Sequence, residues 1–440
     1  MSRPLPGFRD FPPERLRERK RVLARLRQTA EAFGFEEYDG PVLEPLELYT
    51  EKSGDEIVGQ VFSFEDRGGR RVALRPEMTP TLARMAGGAA ATLRRPSRWF
   101  AINEQYRFER PQKGRQRAFT QFNLDVLGEP SAGADAEVVS CFVAALERCG
   151  LTEADVRVRL SDRRIWTRFL DLMGVDRADQ TECLSAIDKM DRLSPEKLAG
   201  RIEPVLGEGT ADFLARVEEF RSLRGEGELL PFLESLSSRA EENRVSAELV
   251  GAWKEFRATL DAMGLGAYAV LDLGIVRGLA YYTGPVFEVF EASGEGRAIA
   301  GGGRYDDLVG KVSGSPLEAT GGALGDVTLL DLLADRGRLD APGPSVDCFV
   351  AIGGPGARPS ALALVGDLRR AGLSTLYSFR EAGFSRQFKD ANRSAARAVV
   401  SVGDREMAEG IYPVKDLSTG EETRIPKDDL VEGVRRMIRG

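Results

Sequence analysis

The basic side chains Arg107, Arg110, Lys113, Arg115 and Arg117 crowd around a single acid, Glu109, with Arg98 just upstream, in a chain whose net charge is -7. Such a patch expects an anion, and arginine forks suit phosphate oxygens better than any other side chain. On charge alone, a basic loop of this kind is more often a solvated turn than a site. The surrounding stretch, NEQYRFERPQKGRQRAFTQFNLDVLG (103–128), reads as a long antiparallel hairpin turning at PQKG. Gln121 and Asp125 stand four apart on its returning strand, so both point to one face. The chain contains no histidine. Any mechanism that uses an imidazole as base, nucleophile or metal ligand is thereby excluded, leaving arginines, carboxylates, backbone groups and bound metal to do the chemistry.

Residue order decides between site and solvated turn. RFERPQKGRQRAFTQ resembles motif 2 of the class II aminoacyl-tRNA synthetases, in the form found in the histidyl-tRNA synthetase family. IVRGLAYYTGPVFEVF (275–290) resembles that family's second histidine-specific signature, and FEEYDGPVLEPLELY resembles motif 1, whose proline-containing strand builds the family's dimer interface. The resemblance runs from GFRDFPP near the start to the C-terminal domain. It implies an α+β fold: a class II antiparallel-sheet catalytic core with a helical insertion, followed by an α/β anticodon-binding-like domain. It also implies ATP-dependent joining of L-histidine to histidine tRNA through a histidyl-adenylate, with Mg2+ bound through the ATP phosphates, no metal held by the protein itself, and a homodimer.

Carried over by position, the resemblance puts Arg107 on the ATP α-phosphate, Glu109 near the adenine or its metal, Arg115 on the distal phosphates and Phe119 against the adenine ring. Glu77 and Thr79 take the α-amino group, and Gln121 the carboxylate or amine. Asp125 and Tyr282 hold the imidazole, with Tyr281 beside them, while Arg277 steadies the reacting carboxylate and α-phosphate. Arg107 and Arg277 are thus the expected catalytic residues. Two positions depart from the pattern. Thr328, in GGALGDVTLL, stands where most members carry an arginine over the outer face of adenine, and Ala280 replaces the aspartate of RGLDYY. Two other readings follow the same resemblance: a non-catalytic paralogue serving as regulatory subunit of ATP phosphoribosyltransferase in histidine biosynthesis, and a tRNA-independent aminoacyl-adenylate ligase.

These residues need a scaffold, and the sequence outlines one. Asp10 is placed to cap a helix beginning at Pro12-Pro13 and ending at Gly34, with Leu16, Leu23, Leu26, Ala30 and Phe33 inward and an arginine-rich face solvated. Phe62 to Leu74 reads as a hairpin turning at Gly68-Gly69, and Thr79-Pro80 begins a helix that leaves Glu77 at a strand-to-helix junction. A helix spans about 134–149, DVRVRLSD is a short strand, and about 165–262 has helical periodicity with LSPEKL as a capping signal. Strands return in AYAVLDLG and GPVFEVF, followed by the glycine track AIAGGGRYDD. The catalytic core is expected over 1–335 and a proline- and glycine-bearing linker over 336–346. The alternating strands and helices of 347–440 form the C-terminal domain.

Length and composition (440 residues, 42% hydrophobic, 30% charged) predict a soluble globular protein of two or three domains. No apolar run approaches the roughly 20 residues of a membrane span and no signal-peptide pattern begins the chain, so a cytoplasmic protein with no membrane partner is expected. Cys141, Cys149, Cys183 and Cys348 show no metal-binding spacing and sit among apolar neighbours, which predicts buried thiols.

Overall fold

The computed structural model describes residues 3–50, 59–276, 281–294, 296–339 and 346–439. The chain divides into two compact units, 1–339 and 340–440. In the first, strands β1 (Glu36–Glu37), β2 (Leu43–Pro45), β3 (Phe62–Glu65), β4 (Arg71–Leu74), β5 (Ser97–Tyr106), β6 (Ala118–Leu127), β7 (Val156–Asp162), β8 (Ala269–Leu271), β9 (Pro285–Glu291), β10 (Ala300–Arg304) and β11 (Ala319–Gly325) build two sheets. The larger has the order β1-β5-β6-β11-β10-β9-β7-β8, and β2-β4-β3 form the smaller. Every pairing from β5 to β7 is antiparallel, and only the outer pairs β1/β5 and β7/β8 are parallel.

The motif 2 stretch is the hairpin expected: β5 and β6 pair from Ser97↔Leu127 to Tyr106↔Ala118, and the turn closes through a Gln112↔Arg115 bridge with Gly114 at φ +72°. That left-handed conformation is open to glycine at little cost and disfavours other residues. One face of the sheet is covered by the helix Ala132–Arg148, whose Phe142 meets Phe122 of β6 at 5.8 Å and Phe287 of β9 at 5.7 Å between ring centroids. Aromatic rings of this size carry much of a core's burial energy.

Pro41 divides the motif 1 stretch. Glu36–Glu37 pairs with β5, and Leu43–Pro45 belongs to the small sheet instead. Residues 163–262 form helices, 3-10 turns and connections without a strand, and Ser194 caps the helix Pro195–Leu206 by accepting from the Lys197 amide. This helical region shares the main core through Trp166, Phe169, Phe220 and Phe232, with Phe169 stacked on Phe220 at 4.7 Å.

The N-terminal helix, Pro13–Ala32, departs from expectation in two ways. Pro12 precedes it with no side-chain cap, so Asp10 does not perform that role. Its arginine-rich face is not all solvated either: Arg19 is buried, and its Nε donates to Asp326 Oδ2 at 2.9 Å. Asp326 also accepts from Arg9 at 3.2 Å and from the Thr120 amide of β6 at 2.9 Å, so one carboxylate ties the N-terminal segment to the central hairpin. Nearby, the Arg117 amide donates to Gly7 O at 2.8 Å.

The second unit holds a five-stranded sheet of β12 (Val346–Ile352), β13 (Thr375–Tyr377), β14 (Ala396–Val402), β15 (Ile411–Asp416) and β16 (Glu422–Pro426), in the order β13-β12-β14-β15-β16. Its first three strands are parallel, with the helices Arg358–Arg370 and Phe384–Arg393 between them, and β15/β16 is the hairpin read from GIYPVKDLSTGEETRIP. All four cysteines are free and buried, and burial pushes the thiols of Cys141, Cys183 and Cys348 to higher pKa. Among the described residues no helix is long and apolar enough to cross a membrane.

Candidate active site

A small cleft lies over the middle of the large sheet. Glu77 and Thr79 reach it from the junction between β4 and the helix Thr79–Ala89, and Arg107 from the end of β5. Gln121 and Asn123 come from β6, Tyr281 and Tyr282 from the segment before β9, and Tyr305 from the end of β10. Its floor is glycine, including Gly301, Gly321 and Gly322. The Tyr281 hydroxyl donates to Glu77 Oε2 at 3.3 Å.

Asp125 stands behind this lining. Its Oδ1 accepts a hydrogen bond from the Tyr305 hydroxyl, and burial raises its pKa to about 7 even though that bond pulls the other way. The opposing residue on β11 has to be glycine, because a Cβ at Gly321 would fall 1.9 Å from Asp125 Oδ1 and 2.6 Å from Leu124 O. Gly302 is equally constrained: a Cβ there would lie 2.2 Å from Gly321 O. Strand register thus fixes the carboxylate, and missing side chains leave room for it.

A larger cavity of about 580 Å³ adjoins the cleft and shares Arg107, Gln121, Gly301 and Ala323 with it. Its walls include Glu109 and Arg115 of the hairpin turn, Phe119 of β6 and Thr328 in the first turn of the helix Asp326–Asp335. The Arg107 guanidinium carbon lies 5.4 Å from the Phe119 ring centroid, and its Nε is fixed by donation to Pro76 O at 2.9 Å. Arg115 pairs with Glu109 at 2.5 Å, and Arg117 lies over Phe108 at 4.3 Å. Arg115 and Arg117 are thus engaged within the hairpin and Arg107 is fixed from outside it, whereas Arg110 and Lys113 are exposed.

Comparison with known proteins gives this geometry a family. The family model described as histidyl-tRNA synthetase matches residues 7–328, and an anticodon binding domain model matches residues 347–437. The chain belongs to the histidyl-tRNA synthetase family. It is 46% identical over 431 residues to a protein of Opitutus terrae named histidine–tRNA ligase, a match covering 98% of this chain and 97% of that one. It is 34% identical to a chloroplastic/mitochondrial histidine–tRNA ligase of Arabidopsis thaliana, over 97% of this chain and 85% of that one. Among solved structures, a histidyl-tRNA synthetase of a Nostoc species matches with a TM-score of 0.77 and 26% identity, each chain 99% covered. A Bacillus halodurans protein described as an ATP phosphoribosyltransferase regulatory subunit/histidyl-tRNA synthetase shares the fold, at 22% identity and a TM-score of 0.71.

Against that family pattern, the structure brings Glu77, Thr79, Arg107, Gln121, Tyr281 and Tyr282 to one cleft, and Arg107, Glu109, Arg115, Phe119 and Gln121 to the adjoining cavity. Asp125 is not part of the lining and reaches it through Tyr305. Arg277 and Ala280 lie outside the described residues. Sequence reasoning missed Tyr305 and Asn123. The signal for Asn123 was its place between Gln121 and Asp125 on one strand face; Tyr305 closes the glycine track GGGRYDD, where a phenol beside bare backbone is exposed to whatever the track admits.

Proposed function

We propose that the chain activates L-histidine with ATP and transfers it to histidine tRNA. The observation that supports this most strongly is convergence. Residues from separate stretches of the chain, around positions 77, 107, 121, 281 and 305, meet in one cleft that opens onto the cavity lined by Phe119, Arg115 and Glu109. In this reading a carboxylate oxygen of histidine bonds to the α-phosphorus of ATP, the bond to the bridging oxygen breaks, and pyrophosphate leaves. A terminal ribose hydroxyl of the tRNA then attacks the carbonyl, and AMP leaves. The nucleophile is the substrate's own carboxylate, so a chain without histidine lacks nothing that the first step requires. The protein's task is positioning and charge stabilisation.

Arg107 and Arg277 take the α-phosphate and the reacting carboxylate. Phe119 stacks on the adenine, and Arg115 takes the distal phosphates by exchanging Glu109 for them. Glu77 and Thr79 hold the amino group, and Gln121 the carboxylate end. Asp125 acts on the imidazole through Tyr305: a phenol that donates to a carboxylate is left as an acceptor toward a ring N–H, and Tyr282 closes the other side. A ligand unable to fill those bonds would leave buried polar groups unpaired, which is a strong basis for selectivity.

Mg2+ fits this site as a guest of ATP. Glu109 is one of the carboxylates that line the cavity and would be a ligand of the ion from the protein, while the ATP phosphates would supply others. Bound there, it neutralises phosphate charge. The exposed Val42 and Leu43 of the motif 1 segment suit a homodimer interface, residues 347–437 suit the anticodon arm of the tRNA, and the protein works in the cytoplasm.

A regulatory subunit of ATP phosphoribosyltransferase has less support, because full-length curated relatives carry the ligase name. Pyrophosphate exchange into ATP, run with and without histidine, separates the two readings. The enzyme exchanges only with histidine present and charges histidine tRNA; histidine binding without exchange would overturn this function.

A further inference from the structure

Strand β6 outruns one of its two neighbours. β11 pairs with it only from Leu127 to Gln121, whereas β5 continues along it to Ala118. The start of β6 therefore has an open edge on the β11 side, where backbone amides need other acceptors. Two groups from outside the sheet supply them. Asp326, the first residue after β11, accepts from the Thr120 amide through Oδ1 at 2.9 Å, so a side-chain carboxylate stands where the next ladder carbonyl would be. Gly7 O of the N-terminal segment accepts from the amides of Ala118 at 3.2 Å and Arg117 at 2.8 Å. Phe119, in the wall of the larger cavity, lies between these two attachments.

The two attachments belong to one assembly. Arg19 of the N-terminal helix donates from Nε to Asp326 Oδ2 at 2.9 Å and from Nη2 to the Thr120 hydroxyl, and Arg9 donates to the same Asp326 oxygen at 3.2 Å. The guanidinium carbons of Arg19 and Arg9 lie over the Phe11 ring, 4.6 and 5.0 Å from its centroid. Gly7 is flush against the strand: at φ +86°, a Cβ there would fall 2.6 Å from Arg117 Cγ. The Asp326 side chain is 1% exposed, and a buried carboxylate shared by two guanidinium groups and an amide makes short, charge-assisted bonds that fix geometry. Gln121 is held differently, between Asn103 of β5 and Gly325 of β11, by the strand ladder on both sides.

We propose that Asp326 and Arg19 are positioning residues for ATP, and that the N-terminal segment from Gly7 to Arg19 completes the open edge of β6 so that the Phe119 ring is held against the cavity. The proposal rests on the ATP-dependent reading above in taking ATP as the ligand of that cavity. Asp326 and Arg19 act through Thr120 on its neighbour Phe119, not by touching the nucleotide. The histidine end of the cleft, where Gln121 has a strand on either side, does not depend on them.

Calorimetric titration of the full chain with ATP and, separately, with histidine tests it without requiring catalysis. D326N keeps an acceptor for the Thr120 amide and removes the charge that both arginines share; it is expected to bind ATP about tenfold more weakly than the parent and histidine equally well. T120V keeps the volume and removes the hydroxyl that accepts from Arg19, with a loss of about threefold for ATP alone, and T120S, which restores that acceptor, is expected to match the parent. If D326N does not melt cooperatively, T120V and R9M, the latter at a partly exposed side chain, carry the test in its place. ATP affinity unchanged in these variants would overturn the proposal. So would a loss of histidine affinity equal to that for ATP, which is what general loosening of the fold produces. A parent that binds ATP but shows no histidine-dependent exchange refutes the proposed function and leaves the roles of Asp326 and Arg19 standing; a parent that does not bind ATP refutes both.

Discussion

The small cleft and the larger cavity are built in different ways. At the cleft, Gln121 and Asn123 of the lining and Asp125 behind it sit on β6 between two paired neighbours, and the glycines of β10 and β11 leave the space that the Asp125 carboxylate occupies. In the cavity, Arg115, Gly114, Arg297 and Thr328 come from a turn, a loop and a helix start, held by side-chain contacts such as Glu109 to Arg115. Strand register admits one arrangement, because a one-residue slip would turn every side chain to the opposite face. Turn and loop contacts are replaceable, since different residues can bring the same chemical group to one place. The departure from the family pattern at Thr328 falls in the replaceable region.

The largest expected effect tests the strand-built side. Asp125 titrates at about 7 when folded because it is buried, whereas an unfolded chain gives it an ordinary, lower carboxylate value. Between those values the folded state keeps the proton and the unfolded state releases it, so stability falls as pH rises through this window and is level above it. Relative to Asp125→Asn, the parent should lose on the order of 4 kcal/mol between about pH 4 and pH 8, as read by chemical denaturation. Parallel pH curves for the two proteins would mean that Asp125 is solvated and that the cleft is looser than described.

One substitution made in both regions sharpens the contrast. Gly321→Ala places a Cβ against the Asp125 carboxylate and Leu124 O, where relief requires moving a central strand, and should cost about 3 kcal/mol together with most of the histidine affinity. Gly114→Ala meets only the Arg297 stem and the Thr328 methyl at 3.3 Å, and pays mainly for its positive φ. Its cost should be about 1 kcal/mol, with weaker ATP binding and unchanged histidine binding. Equal costs at the two positions, or a histidine defect in Gly114→Ala, would erase the distinction.

The same contrast explains what could be read from the sequence. The β5–β6 hairpin, the helix after Pro80, the helical run of 163–262 and the alternating C-terminal unit all follow from local periodicity and turn residues, and motif order supplied Gln121 on β6 but not its neighbour Asn123. Arg19 could not be read, because its partner Asp326 is 307 positions away and an arginine on a basic helix face looks solvated until that partner is known. Tyr305 was hidden for a related reason: its role depends on Asp125, 180 positions earlier. Asp10 had the right residue type for a cap, but Pro12 and Pro13 open the helix without one.

Arg107 is assigned to charge stabilisation during histidine activation in the cleft. Pyrophosphate exchange into ATP, measured for the parent and Arg107→Ala with each of the standard amino acids in turn, tests it most directly. Exchange is expected with histidine alone in the parent, with a loss of about 10² to 10³-fold in Arg107→Ala and the fold intact. Exchange driven by another amino acid, or near-parental exchange in Arg107→Ala, would contradict it.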